Sequence, residues 1–185
     1  MIRVLGLLVA LVAFLCPANL PAEDIPPAAR MFERMRSLAG DWEGTFAWSD
    51  GRSGSGPLTA TYYVTGNGSA LVENLVMDGV PSMTSVYHLD GSDLRVTHYC
   101  AARNQPRFKA SKIDESAGTV DFAFVDVTNV NPKRPAYVEA IALQLLDGDR
   151  VKVRFTFGGG PGMSGVENIA LKRLASGHGQ AESPK

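Results

Sequence analysis

A histidine, a cysteine and several cations stand close together in LRVTHYCAARNQPRFKAS, residues 94–111. His98 and Cys100 are two residues apart, so both side chains share a face if this stretch is a β-strand. Such a pair could act as a nucleophile with its base, or supply two ligands to a metal ion. A positive rim for an anionic ligand group could come from the cations that follow, which are Arg103, Arg107, Lys109 and Lys112.

Metal binding and covalent catalysis both need partners that the sequence does not indicate. Zinc requires three or four ligands, and His88, His98 and Cys100 do not follow the spacing of a zinc site. No third group that would orient His98 is evident, and GMSGVE, residues 162–167, lacks the Gly-x-Ser-x-Gly elbow of serine hydrolases. The sequence therefore predicts no metal, no cofactor and no catalytic residue, and it favours binding over catalysis.

Three carboxylates remain candidates for a polar role inside the fold. In SALVENLVM, residues 69–77, strand alternation places either Glu73 or Asn74 among apolar side chains. Glu167 aligns in the same way with Ile169 and Leu171. A buried polar group costs several kcal/mol unless it is hydrogen-bonded, so a partner is predicted for each. The enzyme hypothesis would pair His98 with Glu73 or Glu139 as acid and base.

The chain after residue 40 alternates between strand-like runs and turn dipeptides. Asp-Gly occurs at 50–51, 78–79, 90–91 and 147–148, and Asn-Gly at 67–68. These dipeptides supply the positive φ angles of tight hairpins. Ten strands are predicted between the turns, over residues 42–48, 58–64, 69–77, 82–89, 94–100, 107–114, 119–125, 136–146, 150–158 and 166–173.

Short, closely linked strands predict an antiparallel meander, and ten of them are expected to close into a barrel because closure removes exposed edges. A two-sheet sandwich is the alternative. One short amphipathic helix precedes the strands in PPAARMFERMRSLAG, residues 26–40, with Met31, Met35 and Leu38 on its apolar side. The fold class is therefore all-β, with a single barrel domain and its helix over residues 23–174. Residues 158–165, GGGPGMSG, form a flexible loop that could cover the mouth.

Alternation also predicts which side chains face the barrel interior. His98 and Cys100 share the Leu94 and Val96 face, and Phe155 shares that of Val151 and Val153. Tyr87, Phe108, Phe122 and Phe124 are assigned to the interior by the same argument. The predicted ligand-binding residues are Glu73, Tyr87, His98, Cys100, Arg107, Phe108, Phe122 and Phe155.

The N-terminus has the three-part pattern of a secretory signal peptide. Arg3 precedes an apolar run from Val4 to Cys16, then small residues and proline follow. Cleavage after Ala22 is predicted, with Ala18 as the alternative, and Leu15 argues against lipidation of Cys16. The protein is therefore expected to be periplasmic or secreted, without a stable membrane anchor. The small polar tail, residues 175–185, is predicted to be disordered.

Charge and cysteine content limit the possible partners. Loss of residues 1–22 removes one cation, Arg3, so 18 Lys and Arg residues become 17 against 19 Asp and Glu, a formal charge of −2. Nucleic-acid binders normally carry a basic surplus, so nucleic acid is not expected as a partner. Cys16 leaves with the same segment, so Cys100 has no partner for an intramolecular disulfide. The oligomeric state is left open.

The segment LAGDWEGTF, residues 38–46, places Gly-x-Trp after a short helix and resembles the start of the calycin barrels, the lipocalins and fatty-acid-binding proteins. The resemblance implies that Trp42 closes one end. Ten strands are more similar to the fatty-acid-binding and nitrobindin-type barrels. SVYHLDGSDLRVTHYCAARNQPRF, residues 85–108, resembles uncharacterised secreted bacterial proteins of lipocalin-like type.

Two departures limit what this resemblance implies. The Arg-x-Tyr pair with which fatty-acid-binding proteins hold a carboxylate is absent from the last strand, VENIALKRL. The nitrobindin-like haem ligand is a C-terminal histidine, and His178 lies in the predicted tail, so haem ligation is not supported. The expected function is an exported barrel that holds a small, mostly apolar or amphipathic ligand. The alternatives are the His98 enzyme and a structural or interaction protein whose barrel is filled by its own side chains.

Overall fold

The computed structural model describes residues 25–175. The predicted signal peptide, His178 and all but the first residue of the predicted tail lie outside the described residues. Helix α1 (Pro27–Arg36) comes first. Ten strands follow: β1 (Gly40–Ser49), β2 (Ser55–Thr65), β3 (Ala70–Met77), β4 (Val80–Asp90), β5 (Asp93–Tyr99), β6 (Gln105–Asp114), β7 (Thr119–Thr128), β8 (Tyr137–Leu145), β9 (Arg150–Gly158) and β10 (Gly165–Arg173).

The predicted all-β barrel is confirmed. Each strand pairs antiparallel with the next, and β1 also pairs with β10, so the ten strands form one closed sheet. Within residues 25–175 closure leaves neither an unpaired sheet edge nor a second sheet, and it therefore excludes the sandwich alternative. All ten predicted runs correspond to strands; β1, β2, β4, β6 and β7 are longer than predicted by two to four residues, and the bounds of the others differ by at most one residue at either end.

The turn dipeptides behave as predicted in three of five cases. Both residues have positive φ at Asp50-Gly51, Asn67-Gly68 and Asp78-Gly79, whereas at 90–91 only Gly91 does. At 147–148 neither residue has positive φ. There the Asp147 carboxylate accepts hydrogen bonds from the Asp149 N–H at 2.9 Å and the Arg150 Nε at 2.7 Å. A side chain that bonds the local backbone can form this turn without left-handed geometry.

Helix α1 closes one end of the barrel, here called the closed end. Its apolar side is buried through Ala28, Met31, Phe32 and Met35, which confirms the predicted burial of Met31 and Met35. Leu38 is also buried, as predicted, but the helix ends at Arg36, before this residue. Trp42 is fully buried beside it and donates from Nε1 to the Leu38 carbonyl at 2.8 Å. No helix within the described part of the chain is long and apolar enough to cross a membrane.

Arg173 joins the last strand to the chain between α1 and β1. Its guanidinium lies 4.3 Å from the centre of the Trp42 ring. It also donates hydrogen bonds to the carbonyls of Ala39 at 2.8 Å and Ser37 at 2.7 Å. The cation therefore holds the helix linker, β1 and β10 together, which fixes the closed end where the two terminal strands meet.

Most interior side chains form one continuous hydrophobic core with the helix. The predicted inward faces of β5 and β9 are confirmed, since Leu94, Val96, Val151 and Val153 are buried. Tyr87, Phe108, Phe122 and Phe155 are each at most 1% exposed, so they are packed core residues. This part of the barrel interior is filled by the protein's own side chains.

Phe124 shares the face of Phe122, as predicted, but it is not buried in the interior. It is 38% exposed, and its ring packs edge-on against Phe108 at 6.1 Å and at a tilt of 33° against Tyr137 at 5.3 Å. The β6–β7 register shifts at Arg107 and Phe108, and the pairing of β7 with β8 covers only residues 119–123 of β7. The bulge lies beyond Phe124, at Val125, so Phe124 still pairs with the buried Phe108. Its exposure follows from the end of the β7–β8 pairing at Ala123.

Candidate functional site

The end of the barrel opposite α1, here called the open end, contains a cavity of about 870 Å³. That volume lies within the range of small-molecule sites, roughly 300–1,000 Å³. Strand ends and four loops form its walls. The lining residues are Phe46, Trp48, Arg52, Met77, Ser82, Met83, Cys100, Ala101, Ala102, Arg103, Asn131, Arg134, Ala136, Phe157, Gly162, Met163 and Glu167.

One side of this cavity is apolar. Trp48 and Phe157 pack against each other with ring centres 5.1 Å apart, and Phe46 stands two residues before Trp48 on β1. Met77 and Met83 come from the adjoining ends of β3 and β4. Rings and thioethers offer large apolar contact areas, and methionine adapts its shape to irregular ligands.

Arg52 projects from the β1–β2 loop over the aromatic wall. Its guanidinium lies 4.6 Å from the centre of the Trp48 ring and 4.7 Å from that of Phe157. Nη2 donates to the Met163 carbonyl at 2.8 Å, which links this loop to the β9–β10 loop. The aliphatic part of the Arg52 side chain passes over Gly165, where an added Cβ would lie 2.7 Å from Arg52 Cγ and Cδ. Two rings and a hydrogen bond therefore fix the plane of a half-buried cation.

Glu167 brings an almost completely buried carboxyl group to the same cavity. It is 2% exposed and lies on β10 opposite Phe155 of β9 and Trp48 of β1. Within residues 25–175 it makes no hydrogen bond and no ion pair, so the predicted partner is missing. Burial raises its pKa to about 7, and the nearby charge of Arg52 opposes the rise. An unpaired buried carboxyl is destabilising by several kcal/mol and calls for a functional explanation.

A second polar group lies deeper in the barrel, around Glu73. The choice between Glu73 and Asn74 is resolved, because Glu73 is fully buried while Asn74 accepts from the Thr84 hydroxyl at 2.8 Å. Tyr62 donates a hydrogen bond to Glu73 Oε1, and Tyr87 donates to Oε2 at 3.2 Å. Burial raises the Glu73 pKa, while bonds from Tyr62, Ser85 and Tyr87 oppose the rise. This satisfied network is a structural feature of the core.

His98 is fully buried next to this network. Its Nδ1 lies 3.0 Å from the Ser85 hydroxyl, and its ring lies 4.7 Å from that of Phe155. The hydrogen-bond partner of His98 is Ser85 rather than Glu73, which the enzyme hypothesis paired with it. Nε2 has no hydrogen-bond partner among the described residues. Burial lowers the His98 pKa to about 3, so the imidazole is neutral at physiological pH.

The geometry gives the enzyme hypothesis no support. Its second proposed carboxylate, Glu139, lies on the exposed side of β8 and accepts from the Gly159 N–H at 3.0 Å, so the predicted pairing with His98 is wrong. Cys100 lies at the end of β5, and burial raises the pKa of its thiol. A raised pKa disfavours the thiolate, which is the nucleophilic form.

The structure separates the eight predicted ligand-binding residues into three places. Cys100 lines the cavity. Arg107 is exposed on the outside of the barrel, where its Nε and Nη2 bind Asp126 at 2.6 and 2.5 Å. The residues in the packed interior are Glu73, Tyr87, His98, Phe108, Phe122 and Phe155.

The loop after Cys100 contributes to the cavity in a different way from that predicted. Arg103 lines the cavity, whereas Lys109 pairs with Asp93 on the outer surface at 2.9 Å. Arg103 has φ 64° and its N–H donates to the Cys100 carbonyl at 2.8 Å. Asn104 Nδ2 donates to the Ala136 carbonyl at 2.8 Å, which joins this loop to the β7–β8 loop. The rim cation of this segment is therefore Arg103.

Several cavity residues were not among the predicted ligand-binding residues. Phe157 lies on the inward face of β9, but nothing in the alternation distinguishes it from the core residue Phe155. Trp48 lies two residues beyond Phe46 on the same face of β1, so the two-residue alternation of a strand could have identified it as an inward residue. Arg52 and Arg134 lie in loops, where no periodic signal exists.

Two further depressions involve the outer surface. One, of about 590 Å³, includes Gly44, Leu58, Val76 and Lys172. The other, of about 470 Å³, includes Thr45, Gln144 and Asn168. Among the described residues, no group of three or more His, Cys, Asp or Glu side chains is arranged to hold a metal ion.

Comparison with known proteins supports the architecture. No protein-family model and no curated protein matches the sequence. A protein of unknown function from the DUF3598 family of Nostoc punctiforme aligns with a TM-score of 0.52 at 15% identity. The alignment covers 76% of this chain and 48% of that protein, so this chain spans about half its length.

A second solved structure, Rv2717c from M. tuberculosis, aligns with a TM-score of 0.49 at 16% identity, over 82% of this chain and 100% of that one. At such identities a structural likeness concerns the fold alone. The Nostoc alignment and the closed ten-stranded sheet are loosely consistent with a lipocalin-like barrel.

Proposed function

We propose that this protein binds a small amphipathic molecule in the cavity at the open end of its barrel. The observation that carries the proposal is an 870 Å³ cavity that combines an aromatic and methionine wall with the polar groups of Arg52 and Glu167. Apolar burial supplies the main driving force, at about 25 cal/mol for each Å² removed from water. A few convergent polar groups then orient the ligand.

The location of this site differs from the one first expected. Tyr87, Phe122 and Phe155 are packed against other core residues, so the apolar contacts of a ligand come from Phe46, Trp48 and the methionines instead. The packed interior also supports part of the alternative, a barrel filled by its own side chains. The ligand-binding proposal and the filled-barrel alternative differ in whether a ligand occupies the cavity at the open end.

We also propose that the chain is exported to the periplasm or secreted, with residues 1–22 removed. The support is the cation, apolar run and small-residue pattern of the N-terminus. Native mass spectrometry of protein purified from its own host envelope tests both proposals. We expect a polypeptide that begins at Glu23 and carries a non-covalent mass, which departs on denaturation. A chain that retains Met1 contradicts export, and a lipid mass on Cys16 contradicts the absence of an anchor.

Substitution of Met77 tests where the ligand binds. Met77 is half-buried and lines the cavity, so Met77→Asp places a charge on the apolar wall. We expect affinity for the amphipathic dye 1-anilinonaphthalene-8-sulfonate to fall about tenfold or more, because losing the burial of such a side chain removes about 1.5–3 kcal/mol. Fluorescence titration measures the affinity, and circular dichroism verifies that the variant is folded.

Val76→Asp is the matched control for this experiment. Val76 precedes Met77 on β3 and is also half-buried. It lines the depression of about 590 Å³ on the outer surface, here called the outer groove. We expect its dye affinity to equal that of the unsubstituted protein. If dye affinity falls in Val76→Asp but not in Met77→Asp, the ligand binds in the outer groove rather than in the cavity. No dye binding, together with an unliganded mass from the host, would favour the filled barrel.

A further inference from the structure

Two polar side chains face the cavity with unused hydrogen-bonding capacity. Glu167 is 2% exposed and makes no hydrogen bond or ion pair within residues 25–175. A carboxyl this deeply buried is normally paired, since water cannot solvate it fully. Its position on the cavity wall leaves a bound molecule as the natural partner.

Arg52 is the complementary group. A guanidinium has five N–H donors, and the hydrogen bond recorded for Arg52 within the described residues uses one of them, to the Met163 carbonyl. The Trp48 and Phe157 rings hold the guanidinium plane in place. Arg52 affects the Glu167 carboxyl through its charge, yet the two side chains form no ion pair. A donor and an acceptor thus line one cavity without satisfying each other.

The balance of charge inside the cavity limits the ligand's head group. Arg103 and Arg134 line the cavity but are exposed, so water screens them. In the less exposed part of the cavity, the charged groups are the guanidinium of Arg52 and the carboxyl of Glu167. A carboxylate head group is repelled by ionised Glu167, and an ammonium head group is repelled by Arg52. A neutral head group with both an acceptor and a donor avoids each penalty.

We propose that Arg52 and Glu167 together bind a neutral amphiphile whose head group presents a hydrogen-bond acceptor beside a donor, as a primary carboxamide does. The inference rests on the proposed function and specifies the ligand's chemical class. The amide oxygen accepts from Arg52, and the amide N–H donates to the Glu167 carboxylate. The alkyl or aryl body lies along Trp48, Phe157 and the methionines.

This arrangement predicts the sign of a pH effect on binding. The Glu167 pKa is about 7, and the ionised carboxylate accepts the amide N–H better than the neutral acid does. Affinity for a carboxamide therefore rises with pH, by up to about tenfold between pH 6 and 8, as Glu167 changes from mostly neutral to mostly ionised. The other charged or titratable groups that line the cavity are Arg52, Cys100, Arg103 and Arg134.

The test compares three probes with the same ten-carbon chain, namely decanamide, decanoate and decylamine. Isothermal titration calorimetry with the mature protein at pH 6 and 8 gives each affinity. We expect decanamide to bind most tightly at both pH values, with an affinity that rises with pH. Decylamine should also gain affinity as Glu167 ionises and attracts its ammonium group, but it should remain the weaker ligand because Arg52 repels that group. Decanoate binding should weaken over the same range, because ionised Glu167 repels its carboxylate.

Variants of Glu167 separate recognition from folding. Glu167→Leu should weaken decanamide binding about tenfold or more and abolish its pH dependence, because the acceptor is lost. Glu167→Gln keeps an acceptor without a titratable group, so it should retain most of the affinity with no pH dependence. Asn168→Leu is the matched control, since Asn168 is the next residue on β10 and faces outward, and it should bind as the unsubstituted protein does.

The outcomes distinguish this inference from the proposed function. Tighter binding of decanoate or decylamine than of decanamide, or unchanged binding in Glu167→Leu, overturns the head-group assignment and leaves cavity binding intact. If no probe and no dye binds, and the protein from its host carries no ligand, both proposals fail.

Discussion

Gly44→Ala is expected to lower the free energy of unfolding by about 3 kcal/mol or to prevent folding, because an added methyl group collides with the backbone. Gly44 pairs with Leu171 of β10 and with Leu58 of β2, at the seam where the barrel closes. A Cβ at this position would lie 1.9 Å from the Ala170 carbonyl oxygen and 2.9 Å from its carbon. Strand backbones cannot separate there without loss of the ladder that closes the sheet. Urea unfolding followed by circular dichroism measures the change.

Gly148→Ala is the control for this prediction. Gly148 lies in the loop between β8 and β9, its φ is not positive, and an added Cβ would meet no atom within 4 Å. We expect a change within about 0.5 kcal/mol, or slight stabilisation through the lower entropy of the unfolded chain. Equal stability of both variants would show that the β1–β10 seam is looser than the structure has it.

Acid is expected to destabilise the protein through His98. Burial lowers the folded-state pKa of His98 to about 3, against about 6.5 in the unfolded chain. Between these values the unfolded state binds more protons than the folded state, so stability falls as pH falls. The loss approaches about 1.4 kcal/mol per pH unit below 6.5, or about 3 kcal/mol at pH 4. Above pH 6.5 this contribution is constant.

His98→Gln isolates that contribution because glutamine does not titrate and can still bond Ser85. The stability difference between the unsubstituted protein and His98→Gln should change by about 3 kcal/mol between pH 7.5 and pH 4, in favour of the variant at low pH. Urea unfolding at several pH values provides the measurement. His88→Gln, at a half-buried position on β4, is the matched control for replacing a histidine by glutamine. If the free energy of unfolding changes with pH in the same way for His98→Gln and the unsubstituted protein, a neutral, desolvated His98 is contradicted.

Much of the fold could be predicted from the sequence because its signals are local. The two-residue period identified the inward faces of β5 and β9, and the period of α1 identified Met31 and Met35 as buried. The dipeptides Asp50-Gly51 and Asp78-Gly79 marked hairpins through left-handed backbone geometry that neighbouring residues rarely adopt. The same period gave the face of Phe124 but not its exposure, which arises because the pairing of β8 with β7 ends at Ala123.

The candidate site could be predicted only in part, for a geometric reason. Alternation assigns a side chain to the inside or outside of a barrel, but it does not give the height of that side chain along the barrel axis. Phe155 and Phe157 have the same signal, yet Phe155 stacks on His98 in the core and Phe157 lines the cavity. Most of the predicted residues therefore lie on the correct face but below the cavity.

The sequence by itself determined the ten strands, the helix, the antiparallel order and the burial of Glu73 or Asn74 with a partner. These follow from spacings of a few residues and from the need to satisfy buried polar groups. Only the tertiary structure decided that Glu73 is paired while Glu167 is not, and that Arg52 reaches across Trp48 to the same cavity as Glu167. Arg52 and Glu167 are more than a hundred residues apart, and closure of β1 against β10 brings them together.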